Sequence, residues 1–444
     1  MNVARVNLSH GTHAEHRQTI RTVASLKDVH GSPIGVMADL SGPKIRLGAL
    51  SPEPISVRPG DRIFLTNEQT DGSAARLSVS YQFLAEDVRP GDPVVIADGD
   101  ITARVVEIRG KEVLCEIVDG GELSSHKGVN FPNTSLRIKS LTDKDRADLA
   151  MAVEERVDFV AMSFVRSADD MIELRKLVGA SGHPARLIAK IEKREALEDF
   201  ASILDASDAI MIARGDLGVE TELARVPIVQ KDLIRRARRK AKPVITATQM
   251  LESMIRQPIP TRAEVADVAN AIFDGTDAVM LSGETAVGQY PVEAVRMMAK
   301  VATTAEATLK DGVPGRRYSD RQSLSVSEAI AQSSAQASLE LDAAAVVVCT
   351  DSGASARNVS RFRPFAPVIA GTPRPQVARH LTLSWGVVPI TVETLRSTDH
   401  LIAEASAAAR RTGIVKSGDT IVITAGIPFG KVGGTNLLLV QMLS

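Results

Sequence analysis

Short apolar runs recur along the chain, each followed by a polar or glycine-bearing stretch and then by an amphipathic helical pattern. Runs at 3–6, 35–38, 159–162, 187–191, 209–213, 244–247 and 278–281 read as buried strands. Apolar residues at helical spacing over 168–178, 196–204, 228–240, 263–273 and 292–309 read as the helices between them. Apolar strands that alternate with helices form a parallel sheet with both faces covered. Between 48 and 136 the rhythm changes to period-two alternation, as at 56–61, 92–96 and 105–118, punctuated by Pro59-Gly60, Pro90-Gly91 and Gly120-Gly121. This reads as a small all-β domain inserted between two barrel strands, hinged at both ends like a lid. After 310 the stretch DGVPGRRYSDRQS reads as a linker. Beyond it, helices are expected at 326–339, 376–383 and 399–411, and strands at 344–349, 368–370, 387–390 and 420–424, giving a smaller α/β domain. The expected organisation is barrel at 1–46 and 137–310, insert at 47–136, and C-terminal domain at 322–444.

The strand ends carry the chemistry. Arg5 lies within the first run and Asn7, Ser9 and His10 follow it; Asp39 follows the second, and Ser163 and Phe164 the third. The fourth holds Lys190 and ends in Glu192, and the fifth leads into Arg214, Gly215 and Asp216. Thr248 and Gln249 follow the sixth, and Ser282, Gly283 and Glu284 the seventh. In a (β/α)₈ barrel the active-site groups cluster at the C-terminal ends of the strands. Lys190 and Glu192, two positions apart, point to one face of their strand. Seven strands are found where a closed barrel needs eight, and the chain starts inside a strand, so a first βα unit is expected to be missing.

Composition narrows the class. A formal net charge of −1 argues against nucleic acid or a polybasic membrane contact as the main partner. The two cysteines, Cys115 and Cys349, make neither a disulfide framework nor a metal spacing, as expected of a protein in a reducing cytoplasm. No apolar run approaches the roughly 20 residues that span a bilayer.

The segments MNVARVNLSHG, DLSGPKIR, KGVNFP, IAKIE, MIARGDLGVE, TATQMLESM and MLSGETAVGQYP resemble, in order and spacing, the signature segments of pyruvate kinases. The resemblance runs from Met1 to the C-terminus. It implies a TIM (β/α)₈-type barrel, here lacking its first βα unit, with an inserted small β-barrel domain and a C-terminal α/β domain. It also implies transfer of the phosphoryl group of phosphoenolpyruvate to ADP, the last step of glycolysis, by a cytoplasmic homotetramer. On the same basis Glu192 and Asp216 hold Mg²⁺ or Mn²⁺, and Lys190 and Arg5 neutralise the moving phosphoryl group. A second Mg²⁺ arrives with ADP. Gly215, Asp216 and Thr248 bind the substrate carboxylate, and Ser282 and Glu284 belong to a proton relay. Arg46 and Lys127 hold the nucleotide phosphates, with Asn7, Ser9 and His10 on the nucleotide side. Many members use K⁺ at positions matching Asn7, Ser9 and Asp39. Those members tend to have Glu where this chain has Lys44, so K⁺ is expected to be dispensable. In TDSGASAR, Thr350, Ser352, Gly353, Ser355 and Arg357 are expected to bind a phosphorylated allosteric effector, together with the loop 429–435. Two alternatives stay open: a barrel lyase acting on 2-oxo acids, and a poorly folded remnant that only binds effector.

Overall fold

The structure is a computed structural model that describes residues 1–132, 134, 136–309, 324–393, 397–428 and 434–444. The expected linker and most of the loop 429–435 lie outside the described residues. Seven parallel strands follow one another in chain order: Val3–Asn7, Gly35–Leu40, Phe159–Met162, Arg186–Ile191, Ala209–Ala213, Val244–Ala247 and Ala278–Val279. The first and last are the edges of an incomplete barrel wall, so the architecture is the expected barrel type with seven strands among the described residues.

Period-two alternation divides each strand between two environments. Outward residues such as Val36, Ala38, Val160, Leu187, Ala189, Ile210 and Ile212 join the aliphatic layer under the helices. Inward residues Met37, Phe159, Ala161, Ile188, Ala209, Met211 and Ile245 fill the lower interior. On the same inward faces, nearer the C-terminal ends, the sequence turns polar: Asp39 follows Met37, Ser163 follows Ala161, and Lys190 and Glu192 follow Ile188. An apolar plug thus sits beneath a polar rim, each set on its face by the strand period.

The helices start where the sequence provides caps. Thr12 with Glu15, Thr142 with Asp145, Thr261 with Glu264 and Ser325 with Glu328 form capping boxes. Asp145 also accepts the Gly42 N–H (3.0 Å), which ties a cap to the loop below the insert. The helix expected over 196–204 is two, Arg194–Glu198 and Phe200–Ala206. The break is at Asp199 (φ −96°, ψ 19°), whose carboxylate leaves the helix register to accept the Ala168 N–H (2.9 Å).

Residues 55–130 build a six-stranded sheet, ordered Val129–Asn130, Pro93–Ile96, Ile101–Arg109, Glu112–Asp119, Arg62–Thr66, Arg76–Ser78, and a two-stranded one of Ile55–Val57 and Gly121–Leu123, over a separate core. The alternating run at 105–118 is a hairpin that turns at Gly110, where φ is +64° and a glycine is free of Cβ strain. The C-terminal sheet is ordered Val387–Thr391, Val368–Thr372, Ala345–Cys349, Thr420–Gly426, Thr435–Met442. Its last strand is antiparallel and absent from the sequence reading.

The barrel and C-terminal domain meet through buried polar contacts. Arg363 donates to Asp277 (2.9 Å) and to the Gly275 carbonyl (2.7 Å), and its guanidinium stacks 5.2 Å from the ring centroid of Trp385. Trp385, the only tryptophan in the sequence, donates through Nε1 to Glu306 of the last barrel helix (2.7 Å). Replacing one partner of a buried ion pair strands the other charge. Arg363→Met is therefore expected to destabilise the protein by about 3 kcal/mol. Urea unfolding followed by Trp385 fluorescence measures this; an unchanged midpoint would show that the pair is not a tether.

Candidate active site at the strand C-terminal ends

Lys190 is the centre of the polar rim. Its ammonium donates to Ser163 Oγ (2.7 Å) and lies 3.0 Å from Glu192 Oε1 and 3.4 Å from Asp39 Oδ1. Burial alone would strip its proton, yet Asp39 and then Glu192 outweigh burial, and its pKa lies above the ordinary lysine value. Asp39 is 1% exposed and accepts from Arg5 Nε (2.6 Å). Burial would raise its pKa, but Lys190 and Arg5 hold it below the usual carboxylate range. Ser163, fixed by donation to the Leu40 carbonyl (2.7 Å), orients the ammonium.

Glu192 behaves differently. Its Oε2 accepts the Phe164 N–H (2.7 Å), and Phe164 adopts φ +55° to present that group. Burial, less the pull of Lys190, plus repulsion from Asp216 leaves the Glu192 pKa raised. Two neighbouring carboxylates, one of them buried, form a donor set suited to a small hard dication that takes one or two carboxylates and keeps other positions for water or substrate. Among the described residues no three His, Cys, Asp or Glu side chains converge, so a metal here would rest on this pair and on substrate oxygens. Lys44 Nζ lies 3.5 Å from Asp216 Oδ1.

The loop after Val244–Ala247 is held in strain. Thr248 (φ +70°) and Gln249 (φ +53°) are non-glycine residues in the left-handed region. Arg214 braces them: its guanidinium forks onto Asp267 (2.6 Å to each oxygen) and donates to the carbonyls of Thr248 (2.9 Å) and Ala247 (3.3 Å). Sequence reasoning noted Arg214 at the strand end but gave it no part; its place inside the ARGDLG string was the available signal. The expected free donor at Gly215 is engaged within the chain. Its N–H donates to Thr248 Oγ1 (2.8 Å), and that hydroxyl donates to the Ala247 carbonyl (2.6 Å).

The other expected residues fall into separate groups. Ser9 N–H donates to Asn7 Oδ1 (3.2 Å), and His10 is exposed beside them. Asp39 is committed to Arg5 and Lys190, a role the expected alkali-cation assignment had not included. Arg46 and Lys127 are neighbours at the base of the insert, where Arg46 bridges to Gly128 and donates to the His126 carbonyl (3.1 Å). A buried latch lies near that hinge: Glu220 accepts from Lys193 (2.6 Å) and Asn130 (3.2 Å), joining the last insert strand to the barrel. Glu284 is 1% exposed and accepts the N–H groups of Leu251 (3.1 Å) and Ser282 (2.7 Å), so it braces two loops. In the C-terminal domain Thr350 accepts the Gly353 N–H (3.0 Å), Ser352 lies on the same turn, and Ser355 meets Thr435 (2.5 Å). Arg357 does not line the cleft of Ser355 and Thr435; it faces the cavity beneath the barrel. Arg357 is two residues beyond Ser355 on the short helix Ala354–Ser360, so the two side chains take opposite faces and the expected single cradle of five residues is divided.

Comparison with known proteins agrees with this geometry. The family model described as "Pyruvate kinase, barrel domain" matches residues 1–295, and that described as "Pyruvate kinase, alpha/beta domain" matches 328–441. A pyruvate kinase of Clostridium acetobutylicum is 42% identical over 445 residues, covering all of this chain and 94% of the relative. Pyruvate kinase 2 of Synechocystis is 44% identical over 99% of this chain and 74% of its own length. The pyruvate kinase of Geobacillus stearothermophilus is 43% identical over 100% of this chain and 76% of its own length. Fold and relatives together define a phosphotransferase built on a parallel barrel. The chain belongs to the pyruvate kinase family.

Lysine cannot reproduce the planar fork of Arg214. Arg214→Lys is expected to cost about 1–3 kcal/mol and to speed amide exchange at Gly215. Urea unfolding and hydrogen exchange read both effects; unchanged exchange at Gly215 would mean the loop holds its shape without the brace.

Proposed function

We propose that this chain transfers the phosphoryl group of phosphoenolpyruvate to ADP, giving pyruvate and ATP. The observation that supports it best is Lys190, buried and charged between Asp39 and Glu192 with Asp216 beside them. Phosphoryl transfer asks the protein mainly for positioning and charge neutralisation. A β-phosphate oxygen of ADP attacks phosphorus, the bond from phosphorus to the enol oxygen breaks, and the enolate takes a proton at C3. Lys190 and Arg5 face the charge on the transferring group, and Gly215, Asp216 and Thr248 orient the substrate carboxylate. Thr248 must release the Gly215 N–H for that group to donate to substrate. Glu192 and Asp216 would hold Mg²⁺ or Mn²⁺, which when bound withdraws charge from phosphoryl and enolate oxygens. Arg46 and Lys127 approach the nucleotide phosphates when the insert closes, with Asn7, Ser9 and His10 on the same side. Ser282 and Glu284 order the rim from which the enolate is protonated.

Lys44 beside Asp216 supplies a fixed positive charge, and we expect K⁺ to be dispensable. The Thr350–Ser355 hydroxyls would bind a phosphorylated effector in a homotetramer, whose mass light scattering would give. Both cysteines are buried and free, which suits a reducing cytoplasm. A lyase on 2-oxo acids would need neither the insert cations nor ADP, and the intact charge network speaks against a remnant.

In a coupled assay, pyruvate should form only when ADP and phosphoenolpyruvate are both present. Lys190→Met should lower kcat by about 10²–10³. Pyruvate released without ADP would favour another reaction. Omitting K⁺ at constant ionic strength should leave most of the activity, and Lys44→Glu should create a K⁺ requirement; loss of activity in the parent protein without K⁺ would refute the role given to Lys44.

A further inference from the structure

A cavity of about 750 Å³ separates the floor of the barrel from the C-terminal domain, at the opposite end of the strands from Lys190. That volume falls in the range of small-molecule sites, about 300–1,000 Å³. Five cations (Arg175, Arg186, Lys240, Lys242 and Arg357) line it against two carboxylates, Asp205 and Asp208. Most of these are paired. Asp208 accepts from Arg175 (3.0 Å) and Arg186 (2.9 Å), Lys240 reaches Asp205, and Lys242 donates to the carbonyls of Leu204 (2.5 Å), Asp205 (3.0 Å) and Ser207 (2.7 Å).

Arg357 is different. Among the described residues no hydrogen bond or ion pair reaches its guanidinium. Burial, and then repulsion from Arg186, lowers its pKa to about 10, the reverse of what a paired arginine shows. His380 lines the same cavity at 7% exposure with neither ring nitrogen hydrogen-bonded. Burial keeps that imidazole neutral, with its pKa near 3, so it offers one donor and one acceptor. A half-buried, unpaired cation and a buried, unsatisfied imidazole each carry a desolvation penalty that a complementary ligand removes. Phe159, Ile172 and Leu383 add apolar wall.

We infer that this cavity binds an organic phosphate monoester: the phosphate on Arg357 and the strand-end cations, the alcohol portion against His380 and the apolar wall. Inorganic phosphate alone would leave most of the volume unfilled. The site is distinct from the hydroxyls at Thr350–Ser355, although Ala354 and Asn358 line both. It also faces the roots of three catalytic strands. Arg186 opens the strand that carries Lys190; Asp208 precedes the one leading to Asp216; Pro243 precedes the one leading to Thr248. A ligand here clamps the C-terminal domain to those roots and supplies a regulatory input that does not pass through the lid.

The test is isothermal titration of the full chain with ribose 5-phosphate, glycerol 1-phosphate and inorganic phosphate, in a Ser355→Ala background that weakens the neighbouring cleft. The two esters should bind, more tightly than phosphate. Adding Arg357→Gln should weaken them about tenfold or more, since a charge-assisted bond to phosphate is lost. Ile172→Trp, which fills the cavity from its exposed barrel side without altering charge, should also weaken them. Hydrogen exchange should show ester-dependent protection at 205–209 and 239–243. No ester binding, binding abolished by Ser355→Ala alone, or equal affinity in Arg357→Gln would overturn the inference. Binding is read without turnover, so its failure is independent of the kinase assignment.

Discussion

The active end of the barrel depends on keeping Lys190 charged where water is excluded. A lone ammonium at that depth would lose its proton. Here Asp39 and Glu192 flank it, Arg5 balances Asp39, and Lys44 stands against Asp216. Three cations face three carboxylates, so the rim is close to neutral by itself. A divalent cation and an anionic phosphate would enter that neutral setting together, each compensating the other. Removing any one member leaves an uncompensated charge, so the network acts as one unit.

The fold supplies this arrangement from strand periodicity. Alternate residues face the interior, and the apolar plug of Met37, Phe159, Ile188 and Met211 fixes the height at which Asp39, Ser163 and Lys190 emerge. Some of the backbone strain lies in the loops above. Phe164, Thr248 and Gln249 adopt left-handed conformations, and hydrogen bonds fix the first two, presenting the Phe164 N–H to Glu192 and the Thr248 hydroxyl to Gly215. The insert joins this rim through the Glu220 latch, whereas the C-terminal domain meets the other end of the same strands.

Much of this was legible in the sequence. The seven barrel strands stand out because parallel strands packed under helices are apolar runs with polar ends, and Lys190 and Glu192 share a face by spacing alone. The short insert strands, such as Arg76–Ser78 and Val129–Asn130, were not legible, because two or three residues carry no period. Nor was the antiparallel strand Thr435–Met442, which follows a glycine-rich loop rather than a helix. Side-chain direction was the other gap. Arg357 sits in a motif of hydroxyls, yet its place on the helix face opposite Ser355 aims it at the barrel floor. Asp39 follows a strand like any loop carboxylate, and only tertiary contact pairs it with Arg5 and Lys190. Spacing identifies which residues share a face; it does not identify which of them already satisfy one another.

The central claim is that Glu192 and Asp216 form a cation site bordered by Lys190, which remains an ammonium. Crystals grown with Mn²⁺ and examined by anomalous scattering test it most directly. One strong peak beside Glu192 and Asp216 is expected, with Lys190 still within hydrogen-bonding distance of Ser163. A peak elsewhere, or Lys190 displaced onto Asp216 with no metal bound, would contradict it.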